Sequence, residues 1–133
     1  MYIAPELIEI KNLKNVNSPA IDMWGLGITF YYMITFKFPW EIPDYFYSLN
    51  FEQKNNFMLK LLQKPVSAID GFHPTINDLI QKCLKVNPLE RITSKDMHQK
   101  LISLIRDLNL PTEEHVTFEN FSNCKNTSES SSC

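Results

Sequence analysis

The chain is 133 residues long, the size of one domain. Its 44% hydrophobic and 12% aromatic content is enough for a packed core, which excludes wholesale disorder. Thirteen basic and 15 acidic residues leave a net charge of −2 with no basic block, so neither nucleic acid nor membrane is an expected partner.

Met1-Tyr2-Ile3-Ala4-Pro5-Glu6 has neither the basic start nor the apolar run of a signal peptide. The longest apolar run, residues 23–36, falls short of the roughly 20 residues that span a bilayer and predicts a helix buried in protein. Cys83, Cys124 and Cys133 show no metal-ligand spacing. With His73, His98 and His115 equally scattered, no metal site is expected. Reduced thiols and a cytoplasmic chain are the expectation, the nucleus remaining open.

In chain order, Ser18-Pro19 predicts a helix start, serine as cap and proline in the first turn. The helix that follows, 19–35, is apolar on nearly every face, the pattern of a central core helix. Gly25 and Gly27 within it predict close backbone packing, and Pro39 prevents its continuation. A second helix is predicted over 51–63, with Phe57, Met58, Leu61 and Leu62 as its apolar stripe. A third starts at Thr75, with Asp78 completing a capping box, and buries Ile76, Leu79, Ile80, Cys83 and Leu84. A fourth starts at Thr93, with Asp96 near its positive end. Its stripe is Met97, Leu101, Leu104, Ile105 and Leu108. No strand pattern is convincing. Residues 111–133 turn polar and predict a disordered tail; its sequons at Asn120 and Asn126 are chance matches without a secretion signal.

Three separated segments share an order with a known family. Tyr2-Ile3-Ala4-Pro5-Glu6 resembles the Ala-Pro-Glu motif that closes the activation segment of protein kinases. Asp22-Met23-Trp24-Gly25-Leu26-Gly27 resembles the Asp-x-Trp-x-x-Gly opening of their central helix. Pro88-Leu89-Glu90-Arg91 resembles the Pro-x-x-Arg segment between their last two helices. Asn87 stands where kinases commonly carry aspartate. Tyrosine rather than tryptophan at Tyr2 resembles the serine/threonine branch.

The resemblance implies a mainly α fold: the helical C-terminal lobe of a kinase over residues 1–110, with the tail at 111–133. It implies a structural ion pair between Glu6 and Arg91. It implies that Asp22, with Trp24 in the core behind it, anchors the catalytic loop of a complete kinase, and that Tyr2 belongs to the substrate pocket. The Gly-rich loop, the strand lysine, the His-Arg-Asp loop and the Asp-Phe-Gly metal ligand do not occur in these 133 residues. ATP and Mg²⁺ are therefore expected of the complete kinase and not of this chain, which has no expected catalytic residue. The expected partners are protein substrate and the remaining kinase segments. The alternative is a pseudokinase remnant, non-catalytic, that works as a protein-interaction module.

Overall fold

Asn17 opens the longest helix of the computed structural model, which describes residues 3–9 and 16–110. Its side chain accepts from the Ala20 N–H at 3.3 Å, satisfying one of the donors a helix start leaves over. The cap is thus Asn17 and not the expected Ser18, and Pro19 sits inside the first turn, where a missing N–H costs nothing. This helix, α2, spans Ser18–Thr35 and ends on Phe36 in the left-handed conformation at φ 54°, whose N–H returns to the Tyr32 carbonyl. Before it lies α1, Pro5–Glu9; after it come α3, Phe51–Leu62, α4, Pro74–Cys83, and α5, Ser94–Asp107. Two 3₁₀ turns, Asp44–Ser48 and Pro88–Glu90, join them. Among the described residues there is no strand, so the fold is mainly α, as the resemblance implies. The tail expected at 111–133 lies outside the described residues.

The helix starts follow local chemistry. Asn50 and Gln53 form a reciprocal capping box on α3, each side chain accepting the other's backbone N–H at 2.9 and 3.1 Å. Helix α4 is capped by His73, whose Nδ1 accepts from the Thr75 N–H at 3.2 Å. Thr75 is therefore the second residue of the helix and is not its cap. Asp78 pairs with Lys82 at 2.6 Å instead of closing a capping box. On α5 the Thr93 hydroxyl accepts from the Asp96 N–H at 3.1 Å and donates to its carboxylate at 2.8 Å.

The core forms where α2 crosses α4. A Cβ on Gly27 would lie 2.6 Å from the Cβ of Cys83 and 3.0 Å from Leu84, so only glycine lets the two backbones approach this closely. Gly25 faces open space and has no such duty. Trp24, Leu62, Leu79, Ile80 and Cys83 are fully buried around the crossing. Trp24 stacks on Trp40 at 5.7 Å and 11° between planes, a geometry that adds to simple burial. The Trp40 indole N–H donates to the Lys64 carbonyl at 3.0 Å, which ties the turn after α2 to the end of α3.

Helix α2 is buried on one face and not all round. Ala20, Met23, Trp24, Gly27 and Ile28 are buried, whereas Asp22, Gly25, Thr29, Tyr32 and Met33 are exposed along the opposite side. Met33 is 64% exposed and Phe36, just past the helix, 80%. The apolar all-round sequence thus meets core on one side and leaves an apolar strip on the other. Leu108, counted in the α5 stripe, is the residue after the last turn and stands half-exposed.

Candidate functional site

The turn that aims Arg91 is built from its own sequence. Asn87 accepts from the Leu89 N–H at 3.1 Å and its amide donates to the Glu90 carboxylate at 3.1 Å. An aspartate could make the first of these bonds but not the second. Pro88 begins the 3₁₀ turn, and the Ile92 N–H continues past Arg91 to the Lys82 carbonyl at 3.1 Å. The backbone is therefore pinned on both sides of Arg91.

From this position the guanidinium reaches into the protein and is buried. Nη1 and Nη2 donate to the two carboxylate oxygens of Glu6, each at 2.6 Å, across 85 residues of chain. Nη1 also donates to the Ala20 carbonyl at 2.9 Å, Nη2 to Val86 at 3.2 Å and Nε to Lys85 at 2.7 Å. All five guanidinium donors are used. The ring of Trp24 lies 4.9 Å from the guanidinium carbon, a cation–π contact. One side chain therefore joins α1, the start of α2 and the α4–α5 connection. A lysine carries the charge but not the fork.

Burying an ion pair costs desolvation that only good geometry and complete hydrogen bonding repay. Arg91 meets both conditions. Removing one partner from such a pair costs about 3–5 kcal/mol.

Trp24 is buried between Arg91 and Trp40, on the inner face of α2. Asp22 lies on the outer face of α2 and is exposed; it is not among the hydrogen-bond partners of Arg91. Tyr2 lies outside the described residues. The carbonyls of Ala20, Lys85 and Val86 carry no side-chain signature, and the sequence gives no sign of their part in holding Arg91. Among the described residues no group of three or more His, Cys, Asp and Glu side chains converges to hold a metal ion. No described helix is long and apolar enough to cross a membrane.

Cys83 lies against this hub at the α2–α4 crossing, fully buried. Burial pushes its thiol up from 9.0 to about 11, against a smaller downward pull from the Arg91 charge. Such a thiol is packing material and not a nucleophile.

Comparison with known proteins gives a family match and a set of relatives. The model of the protein kinase domain matches residues 1–102. The serine/threonine-protein kinase ENV7 of Saccharomyces cerevisiae is 27% identical over 107 residues, covering 80% of this chain and 27% of that protein. SAPK9 of Oryza sativa, also a serine/threonine-protein kinase, is 33% identical over 101 residues, covering 72% and 25% respectively. The serine/threonine-protein kinase cds1 of Schizosaccharomyces pombe is 27% identical over 100 residues, covering 74% and 21%. The chain spans about a quarter of the length of the curated relatives it matches.

Proposed function

Since the chain belongs to the protein kinase domain family, we propose that it supplies the substrate-side helical lobe of a serine/threonine kinase. The complete enzyme transfers the γ-phosphoryl group of ATP to serine or threonine hydroxyls of protein substrates. ATP and Mg²⁺ belong to that complete enzyme; no described cluster here suits a metal, and no step is assigned to one in this chain.

Five residues of the chain have a positioning task in this reading. Glu6 and Arg91 fasten the Ala-Pro-Glu segment to the base of the lobe, so that the segment meeting substrate keeps its position. Asp22 presents a carboxylate on the open side of α2, where it receives backbone N–H groups of the catalytic loop. Trp24 fixes the turn of α2 that carries Asp22. Tyr2 contributes to the pocket for the substrate residue beside the phosphorylated hydroxyl. Asp22, Trp24 and Arg91 position other groups; none of them touches the reacting atoms.

The observation that supports this best is the bidentate Glu6–Arg91 pair across 85 residues, because it joins the first and last of the three kinase-like motifs. The relatives are named as kinases, which does not favour the pseudokinase interaction module. The test is a graft: residues 3–108 replace the matching part of the rice relative, and phosphate transfer from labelled ATP to a protein substrate is measured. The expected result is a folded graft that transfers phosphate and loses at least about a hundredfold in rate with Asp22→Ala, the scale of a lost positioning contact. A folded graft without transfer, or one indifferent to Asp22→Ala, contradicts the reading.

A further inference from the structure

The connection from α3 to α4, residues 63–73, is held by side chains in and beside α4. Gln81 donates through Nε2 to the Val66 carbonyl at 2.7 Å. Asn77 clamps Ile69 in both directions, its Oδ1 accepting the backbone N–H at 2.7 Å and its Nδ2 donating to the carbonyl at 2.9 Å. The remaining tie is the cap, where Nδ1 of the exposed His73 accepts from the Thr75 N–H at 3.2 Å. Gln81 and Asn77 are amides, with donors and acceptors that do not titrate. The imidazole differs: it accepts at Nδ1 only while neutral, with its one proton on Nε2, and in the charged ring both nitrogens are donors.

We propose that His73 is a pH-gated helix cap: neutral, it closes the first turn of α4, and protonated, it releases that turn. Protonation acts twice. The Thr75 N–H loses its acceptor, and a positive charge is placed at the positive end of a ten-residue helix. The charged groups on the surrounding elements are Lys64 and Asp70 of the connection, Asp78 and Lys82 of α4, and Lys100 and Asp107, which line the α4–α5 groove with Thr75. Asp78 is committed to Lys82 at 2.6 Å and lies 3.9 Å from Lys100. Among the described residues no carboxylate forms an ion pair with the imidazole, so nothing there offsets the charge it gains. The opening stops within a turn, because Leu79, Ile80 and Cys83 beyond it are buried. Asn77 belongs to the turn that opens, so Ile69 loosens with it, while Gln81 keeps its hold on Val66. The inference stands on the cap's geometry and not on the phosphate-transfer reading, so either can fail alone.

The test follows amide hydrogen exchange and imidazole nitrogen shifts of the isotope-labelled full chain by NMR between pH 8 and 5, the interval over which histidine changes charge. Exchange rates are corrected for their intrinsic pH dependence. At pH 8 the His73 ring should carry its proton on Nε2. By pH 5 the protection of the Thr75 and Ile69 amides should fall about fivefold, the equilibrium weight of one helix cap, while that of Ile80 stays unchanged. His73→Asn keeps an acceptor and gains no charge, so it should hold the pH 8 protection throughout. His73→Ala should show the lower protection at both ends of the range. A neutral ring protonated on Nδ1, protection of Thr75 that ignores pH in the wild type, or a pH dependence that survives His73→Asn and so belongs to another group such as His98 would each overturn the proposal.

Discussion

At the scale of single residues, Cys83 gives a prediction with a definite sign. Its thiol is held at about 11 in the folded chain against an ordinary 9.0, chiefly by burial. Below pH 9 both folded and unfolded chains keep the proton, and the stabilisation is complete. As pH rises from 9 through about 11 the unfolded chain binds fewer protons than the folded one, so stability falls. Cys83→Ala removes this titration. The stability difference between wild type and Cys83→Ala, measured by urea unfolding, should be constant below pH 9. It should then shift against wild type by about 2 kcal/mol near pH 10.5, at about 1.4 kcal/mol per unit. Parallel pH profiles for the two proteins would contradict the burial of the thiol. Arg91 is the other residue with more to say in the structure than in the sequence. No periodicity places it near Glu6; the resemblance alone suggested the pairing. The three carbonyls that complete its hydrogen bonding come from backbone whose direction depends on the tertiary fold.

At the scale of elements, the two glycines of α2 make opposite predictions although they stand two residues apart. Gly27→Ala drives a methyl group into Cys83 and Leu84 and should cost about 1–3 kcal/mol by overpacking. Gly25→Ala meets nothing within 4 Å and should gain about 1 kcal/mol from helix propensity. Urea unfolding of the two variants checks the signs, and a shared sign would contradict the crossing of α2 over α4. The sequence predicted close packing for both, because composition cannot tell which glycine faces a neighbour. Helices α2 to α5 were legible, since each has an apolar stripe bounded by capping residues or proline. The caps of α2 and α4 each lie one or two positions earlier than expected, at Asn17 and His73. In both helices the backbone turns before the proline, and the residue there supplies the acceptor. Helix α1 and the two 3₁₀ turns are three to five residues long. That is too short for any hydrophobic period to register.

At the scale of the whole molecule, one contact closes the chain on itself. Helix α1 rests on α3 and is fastened at Glu6 to Arg91, so the first described segment is tied to the connection between α4 and α5. A short helix of five residues has no stability alone, and its place depends on these two contacts. The kinase reading rests on the same closure, because it brings the separated motifs to one place. The exposed side of α2, which carries Asp22 near its start and Tyr32 and Met33 near its end, is the apolar strip that the rest of a kinase domain covers in this reading. The most direct measurement is a double-mutant cycle of Glu6→Ala and Arg91→Ala, read by urea unfolding of the chain. The account predicts that Arg91→Ala costs about 3–5 kcal/mol and that adding Glu6→Ala costs little more, with a coupling energy of at least about 2 kcal/mol. Additive effects of the two substitutions would show that the pair does not close the chain, and would contradict the account.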